Sequence, residues 1–242
     1  MLVLLVGATG RTGRLVLQQL LGLGIRVRAI VRASGKLPSE VAGHPNLTVV
    51  EASLLSLRDE ELSQHLRGCD AVISCLGHVI SLRGIFGTPR DLVTEATMRM
   101  CRGVEALRPA EPVKFILMSS VSVHRPGGLD TRRGSFERAF LRVLCAVLPP
   151  AKDNRRAADF LLRNADTFVH WVIVRPDSLL AGDVSAYATH EGLVNSLFSP
   201  GSTNMANVGH FMGELLTNPD AWAEWKGKMP VVVNAAEGFG SS

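Results

Sequence analysis

Gly7-Ala8-Thr9-Gly10-Arg11-Thr12-Gly13 follows directly on an apolar run at 2–6 and opens a helical pattern at 11–21. A strand, a glycine-rich turn and a helix, in that order, are what a bound pyrophosphate needs. Gly7 allows the tight turn off the strand, Gly10 lets a phosphate approach the backbone, and Gly13 lets the helix pack close to the sheet. Free amides and the positive end of the helix dipole then face the anion. A glycine turn that only joins two elements is the bland alternative, and the strand-turn-helix context argues against it.

Outward from this turn, short apolar runs alternate with longer helical patterns. Residues 2–6, 25–31, 47–50, 71–75, 113–118 and 169–174 are continuous or nearly continuous apolar runs, the pattern of strands covered on both faces. Between them, 11–21, 59–66, 92–107 and 155–162 carry helical spacing, with Leu15, Val16, Leu20 and Leu21 on the first. With right-handed crossovers this predicts an α/β fold, a single doubly wound Rossmann-type parallel sheet with helices on both faces. After Pro176 the pattern loosens into a polar stretch at 177–203. A helix at 208–216 and a strand at 231–233, expected at the sheet edge, follow it. Residues 177–230 therefore read as a small substrate-side extension of one domain spanning 1–242, and 238–242 as a frayed tail.

Composition narrows the function classes. The chain has 242 residues, 46% hydrophobic and 20% charged, enough for one large core and unlike disorder, collagen or coiled coil. Its 26 Lys and Arg against 22 Asp and Glu give a formal charge of +4, too slight and dispersed to announce nucleic-acid binding. Cys69, Cys75, Cys101 and Cys145 lack the paired spacing of a zinc site or redox dithiol and read as buried thiols in a reducing compartment. No His/Cys/Asp/Glu cluster has metal spacing. The run at 1–6 has no basic flank and is too short for a signal peptide, and no later run is long enough to cross a bilayer. A soluble, cytoplasmic protein is expected.

The second strand ends at Val31, and Arg32 stands where an acidic residue would accept the adenosine ribose hydroxyls. An arginine there pairs instead with a 2′-phosphate, with Ser34 or Lys36 helping to close the pocket, so NADP(H) is expected over NAD(H). An exposed arginine with no ligand is the alternative.

These residues make the chain resemble an atypical member of the short-chain dehydrogenase/reductase superfamily, closest to its NmrA-like and biliverdin IXβ/flavin reductase-like group. The resemblance rests on Gly7-Ala8-Thr9-Gly10-x-x-Gly13, Val27-Arg28-Ala29-Ile30-Val31-Arg32, Cys69-Asp70-Ala71-Val72-Ile73 and Val174-Arg175-Pro176. It implies that Gly7, Thr9, Gly10, Arg11, Thr12, Gly13 and Arg32 touch the phosphates and adenosine half of the cofactor. It also places Cys75, Leu76 and Gly77 beside the adenine ribose, and Met118, Ser119 and Pro176 on the nicotinamide side. Where the group has an acidic residue meeting the adenine edge, this chain has Ser53.

Carbonyl reductases of the superfamily use a Tyr-x-x-x-Lys pair, the lysine lowering the tyrosine pKa. The single tyrosine here, Tyr187, has no lysine four residues on and lies beyond the sixth strand, which suits packing or a lid. Counted back from Arg175-Pro176, the pair's positions read Ala151 and Arg155, within one residue of register. Arginine, with a pKa of roughly 12 or more, donates no proton at neutral pH. Ser119 and His124 are the other catalytic candidates, His124 with an ordinary pKa of about 6.5 suited to proton delivery. A loop histidine bonded to backbone is the alternative for His124, and His170 and His210 read as packing residues. Two functions follow: an NADPH-dependent oxidoreductase passing hydride to a small flavin- or quinone-like acceptor, or a non-catalytic NADP(H) sensor with a protein partner. A sugar-nucleotide epimerase is disfavoured by the missing tyrosine.

Overall fold

The computed structural model describes residues 1–77, 90–125, 130, 134, 137, 149–164, 167–196 and 199–235. Cys145 and the tail at 238–242 lie outside these residues.

Six strands form where the apolar runs are: β1 (Leu2–Val6), β2 (Arg26–Val31), β3 (Leu47–Glu51), β4 (Ala71–Ser74), β5 (Val113–Met118) and β6 (Val169–Pro176). The sheet order is β3-β2-β1-β4-β5-β6-β10-β8, with β10 at Val231–Asn234 and β8 at Tyr187–His190. All neighbours are parallel except β8, which runs antiparallel to β10. A separate two-stranded sheet pairs β7 (Ser178–Leu180) with β9 (Ser202–Asn204).

Alternation along β1 divides the core in two. Val3 and Leu5 face one layer with α1 (Gly13–Gly22) and α5 (Met205–Thr217), while Leu4 and Val6 face the other with α2 (Asp59–Leu66), α3 (Leu92–Leu107) and α4 (Pro149–Arg163). Each such leucine is fully buried, a contribution of about 1.5–3 kcal/mol apiece. Strand order reverses between β1 and β4, so the turns after these two strands border one crevice. This is the doubly wound Rossmann architecture.

Three expectations are corrected. β10 is not the edge, because β8 covers it, with His190 opposite Val231 and Tyr187 opposite Asn234. β3 is not covered on both faces: it is the opposite edge, and Val49 is 39% exposed. α4 begins at Pro149, six residues before the expected 155, because its inward positions include Asp153 and Ala157 rather than large apolar residues. Proline at a helix start has no amide to leave unpaired.

Candidate cofactor site

The turn after β1 is compact because two of its glycines have no room for a side chain. Gly7 has φ +82, and a Cβ there would stand 2.4 Å from the Cys75 carbonyl oxygen after β4. A Cβ on Gly13 would stand 2.1 Å from the Gly7 carbonyl oxygen and 3.2 Å from Cys75 Cβ. Gly10 differs, since its Cβ would meet only the Gly7 oxygen, at 3.2 Å, and the residue is exposed. Gly7 and Gly13 thus lock β1, α1 and the end of β4 together, and Gly10 leaves the open approach.

The Gly10 amide donates to Gly7 at 2.9 Å and the Arg14 amide to Gly10 at 3.0 Å. The amides of Arg11, Thr12 and Gly13 have no such carbonyl among the described residues, as expected of a helix start. They point the dipole-positive end of α1 at the crevice. Thr12 is buried at this start, whereas Thr9 is half-buried and Arg11 exposed. This geometry fits a pyrophosphate.

Arg32, Ser34 and Lys36 are all exposed on the turn after β2. Glu51, which no motif singles out, reaches this turn from β3: its Oε2 accepts the Ser34 amide at 2.9 Å. Ser34, through its side chain and then its amide, holds the Glu51 carboxyl below its ordinary pKa. Ser53 is exposed and starts the short turn Leu54–Ser56. After β4, the Cys75 amide donates to Val6 at 2.9 Å, Leu76 is half-buried and Gly77 is exposed. Burial pushes the Cys75 thiol up to about 12, so it is inert packing beneath the turn.

At the end of β5, Met118 is half-buried against the α1 layer. The Ser119 amide donates to Val174 at 2.8 Å, while its hydroxyl is buried with no partner among the described residues. A buried hydroxyl left unpaired is rare in a folded protein. His124 lies further along the same loop, its Nδ1 3.7 Å from Asp130 Oδ2. Pro176 is buried, and its carbonyl accepts the Val121 amide at 3.2 Å.

Arg155 is not brought to this group by any contact among the described residues. It is 57% exposed on α4, with Nε 3.8 Å from Asp159 Oδ2. Two residues earlier Asp153 turns inward and accepts the Val93 and Thr94 amides at the start of α3. Tyr187, at the outer sheet edge, donates to Glu214 Oε2 at 2.7 Å and lies 2.8 Å from His210 Nδ1. Burial first, and then Glu214, raise its pKa, the opposite of what a proton-donating tyrosine needs. His210 is therefore a polar partner, not only packing. No group of three or more metal-ligating side chains occurs among the described residues. Nor is any helix there long and apolar enough to cross a membrane.

A glycine cradle at the point where strand order reverses defines a dinucleotide-binding protein of the Rossmann class. Residues 7–219 match the family model described as NAD(P)H-binding, and the chain belongs to that family. An uncharacterized chloroplastic protein of Arabidopsis thaliana is 32% identical over 179 residues, 73% of this chain and 59% of its own length. The chain thus spans less than two thirds of that relative. Among solved structures, an oxidoreductase from Lactococcus lactis aligns with TM-score 0.69 at 20% identity, covering 97% of this chain and 91% of its own. An anaerobillin reductase from Escherichia coli O157:H7 aligns with TM-score 0.68 at 16% identity, covering 98% of each chain. A Streptococcus pneumoniae protein proposed to be an NADH-flavin reductase aligns with TM-score 0.67 at 18% identity, covering 97% of this chain and 100% of its own. At these identities the likeness is one of fold.

Proposed function

We propose that the chain is an NADPH-dependent reductase that passes hydride to a small conjugated acceptor, of flavin or quinone type, without a tyrosine acid. The observation that carries this reading is an intact glycine cradle in a chain whose one tyrosine is bound elsewhere, to His210 and Glu214. A bound reduced nicotinamide supplies the hydride. The amides of Arg11, Thr12 and Gly13, with Thr9, hold the pyrophosphate, and Gly10 admits it. Arg32, with Ser34 and Lys36, meets the 2′-phosphate. Ser53, Cys75, Leu76 and Gly77 border the adenosine half, and Met118, Ser119 and Pro176 the nicotinamide half.

The Ser119 hydroxyl, unpaired among the described residues, can donate to or accept from a ribose or acceptor oxygen. His124 or solvent delivers the proton that neutralises the reduced acceptor. Arg155, turned to Asp159, takes no part in this chemistry. Orientation of the two reactants then provides most of the rate. Family membership and the fold shared with reductases support the reading by analogy. The buried cysteines Cys69, Cys75 and Cys101 suit a reducing compartment such as the cytoplasm.

Titration of the purified protein with NADPH, NADP+ and NADH, followed by an acceptor screen, tests the proposal. It expects NADPH to bind more tightly than NADH, Arg32→Ala to abolish that difference, and a flavin or quinone to be reduced. Failure of all three nucleotides to bind would overturn it. Binding with a wide gap between NADPH and NADP+ and no acceptor reduced would favour the sensor, because only a differential affinity shifts an equilibrium.

A further inference from the structure

The turn after β2 carries an acid that does not come from its own strand. Glu51 ends β3 directly opposite Val31, the last residue of β2. The next amide, Ala52, donates to the Val31 carbonyl at 2.8 Å, which fixes the end of β3 beside the turn. From that position the Glu51 carboxylate accepts the Ser34 amide at 2.9 Å. Arg32, Ser34 and Lys36 surround the place where the adenosine 2′ position falls in this fold. A carboxylate on the Ser34 amide occupies a donor that a phosphate oxygen takes, and it adds negative charge where a dianion must dock.

We propose that Glu51 is a cofactor-specificity residue whose carboxylate competes with the 2′-phosphate for the Ser34 amide and limits the NADPH preference that Arg32 creates. The proposal rests on the dinucleotide reading above. Arg32 attracts the phosphate and Glu51 repels it, and specificity is the difference between the two cofactors' affinities. Ser34 keeps the carboxyl ionised at neutral pH, so the competition is present under ordinary conditions. Both groups are exposed, so added salt screens the repulsion.

The test compares wild type, Glu51→Gln and Glu51→Ala by titration with NADPH, NADH and adenosine 2′,5′-bisphosphate at low and high salt. Glutamine removes the charge and keeps an acceptor, whereas alanine removes both. We expect both variants to bind NADPH and the bisphosphate about tenfold more tightly, with NADH changed less than about twofold and the difference shrinking at high salt. NADPH and NADH affinities that move together, or do not move, overturn the proposal. A selective loss of NADH affinity also overturns it, because Glu51 would then be a ribose ligand. If wild type binds none of the three, the dinucleotide reading itself has failed; if it binds them and only the ratio stays fixed, the specificity role alone has failed.

Discussion

Arg175 and Asp130 form an ion pair that is almost wholly out of solvent: Nη1 lies 2.7 Å from Oδ2, with the side chains 0% and 1% exposed. Arg175 also donates from Nε to the Met229 carbonyl at 2.9 Å and from Nη1 to the Val123 carbonyl at 3.1 Å. Asp130 in turn accepts the Arg125 amide at 2.8 Å and the Leu193 amide at 3.3 Å. The pair therefore ties β6 to the loop that carries His124 and to the chain at Leu193. Burial alone would raise the Asp130 pKa, but Arg175, the Arg125 amide and His124 outweigh it and hold the carboxyl below its ordinary value.

Asp130→Asn is expected to cost about 3–5 kcal/mol at neutral pH, because it removes a buried carboxylate that pairs with the buried Arg175 guanidinium. The wild-type carboxylate has a folded pKa below its unfolded one. Its contribution is thus full above the ordinary aspartate range and is lost as the pH falls toward the folded value. Urea midpoints of the two proteins should be far apart at neutral pH and converge in acid. A constant separation would show that the charge is not what Asp130 contributes.

The glycines of the cradle separate stability from binding. Gly13→Ala drives a methyl to 2.1 Å from a backbone oxygen that cannot move freely, so about 1–3 kcal/mol or more of stability should be lost. Gly10→Ala meets the same oxygen only at 3.2 Å, a tight contact that a shift of a few tenths of an ångström relieves, and should lower the melting temperature much less than Gly13→Ala. It should nonetheless weaken NADPH binding at least about tenfold, because the methyl occupies the pyrophosphate approach. Thermal melts and nucleotide titrations on both variants check the division, and equal effects of the two on stability would refute it.

Tyr187 can be titrated by its own absorbance, since it is the only tyrosine. Burial and the Glu214 carboxylate favour the neutral phenol, so ionisation should be delayed well above the ordinary tyrosine range. A raised folded pKa means that the stabilisation is present below the unfolded pKa and is lost as the pH rises toward the folded one. Glu214→Gln should bring the titration down toward the ordinary value. A tyrosinate appearing near neutral pH in wild type would make Tyr187 an acid-base group after all.

These contacts also mark how far the sequence could be read. The apolar run at 2–6 becomes Leu2–Val6 and the pattern at 92–107 becomes Leu92–Leu107, because buried strands and amphipathic helices write their burial into local periodicity. The glycine turn was legible because its spacing sits between a strand and a helix, although the contacts that exclude side chains at Gly7 and Gly13 include Cys75, far along the chain. β8 was not: Tyr187–His190 has no apolar alternation and forms by pairing with β10 across the edge. Glu51, Asp130 and Asp153 escaped because their partners lie 17, 45 and 60 residues away, and a lone carboxylate carries no sign of what it will meet. Arg32 was legible as the first residue after β2, but the acid that reaches its turn was not.

Asp153 ties α4 to the start of α3. Its Oδ2 accepts the Val93 amide at 2.8 Å, and its Oδ1 accepts the Thr94 amide at 2.9 Å and the Thr94 hydroxyl at 2.6 Å. A carboxylate from α4 thus caps the positive end of α3 with no exposed surface of its own. Asp153→Asn puts an amide donor against at least one backbone donor and should cost about 1–3 kcal/mol. If α4 serves here as a support for α3, the variant's urea midpoint falls while the slope and the NADPH affinity of the folded protein stay as in wild type. Loss of NADPH binding with the fold intact would instead tie Asp153 and the start of α3 to the cofactor site.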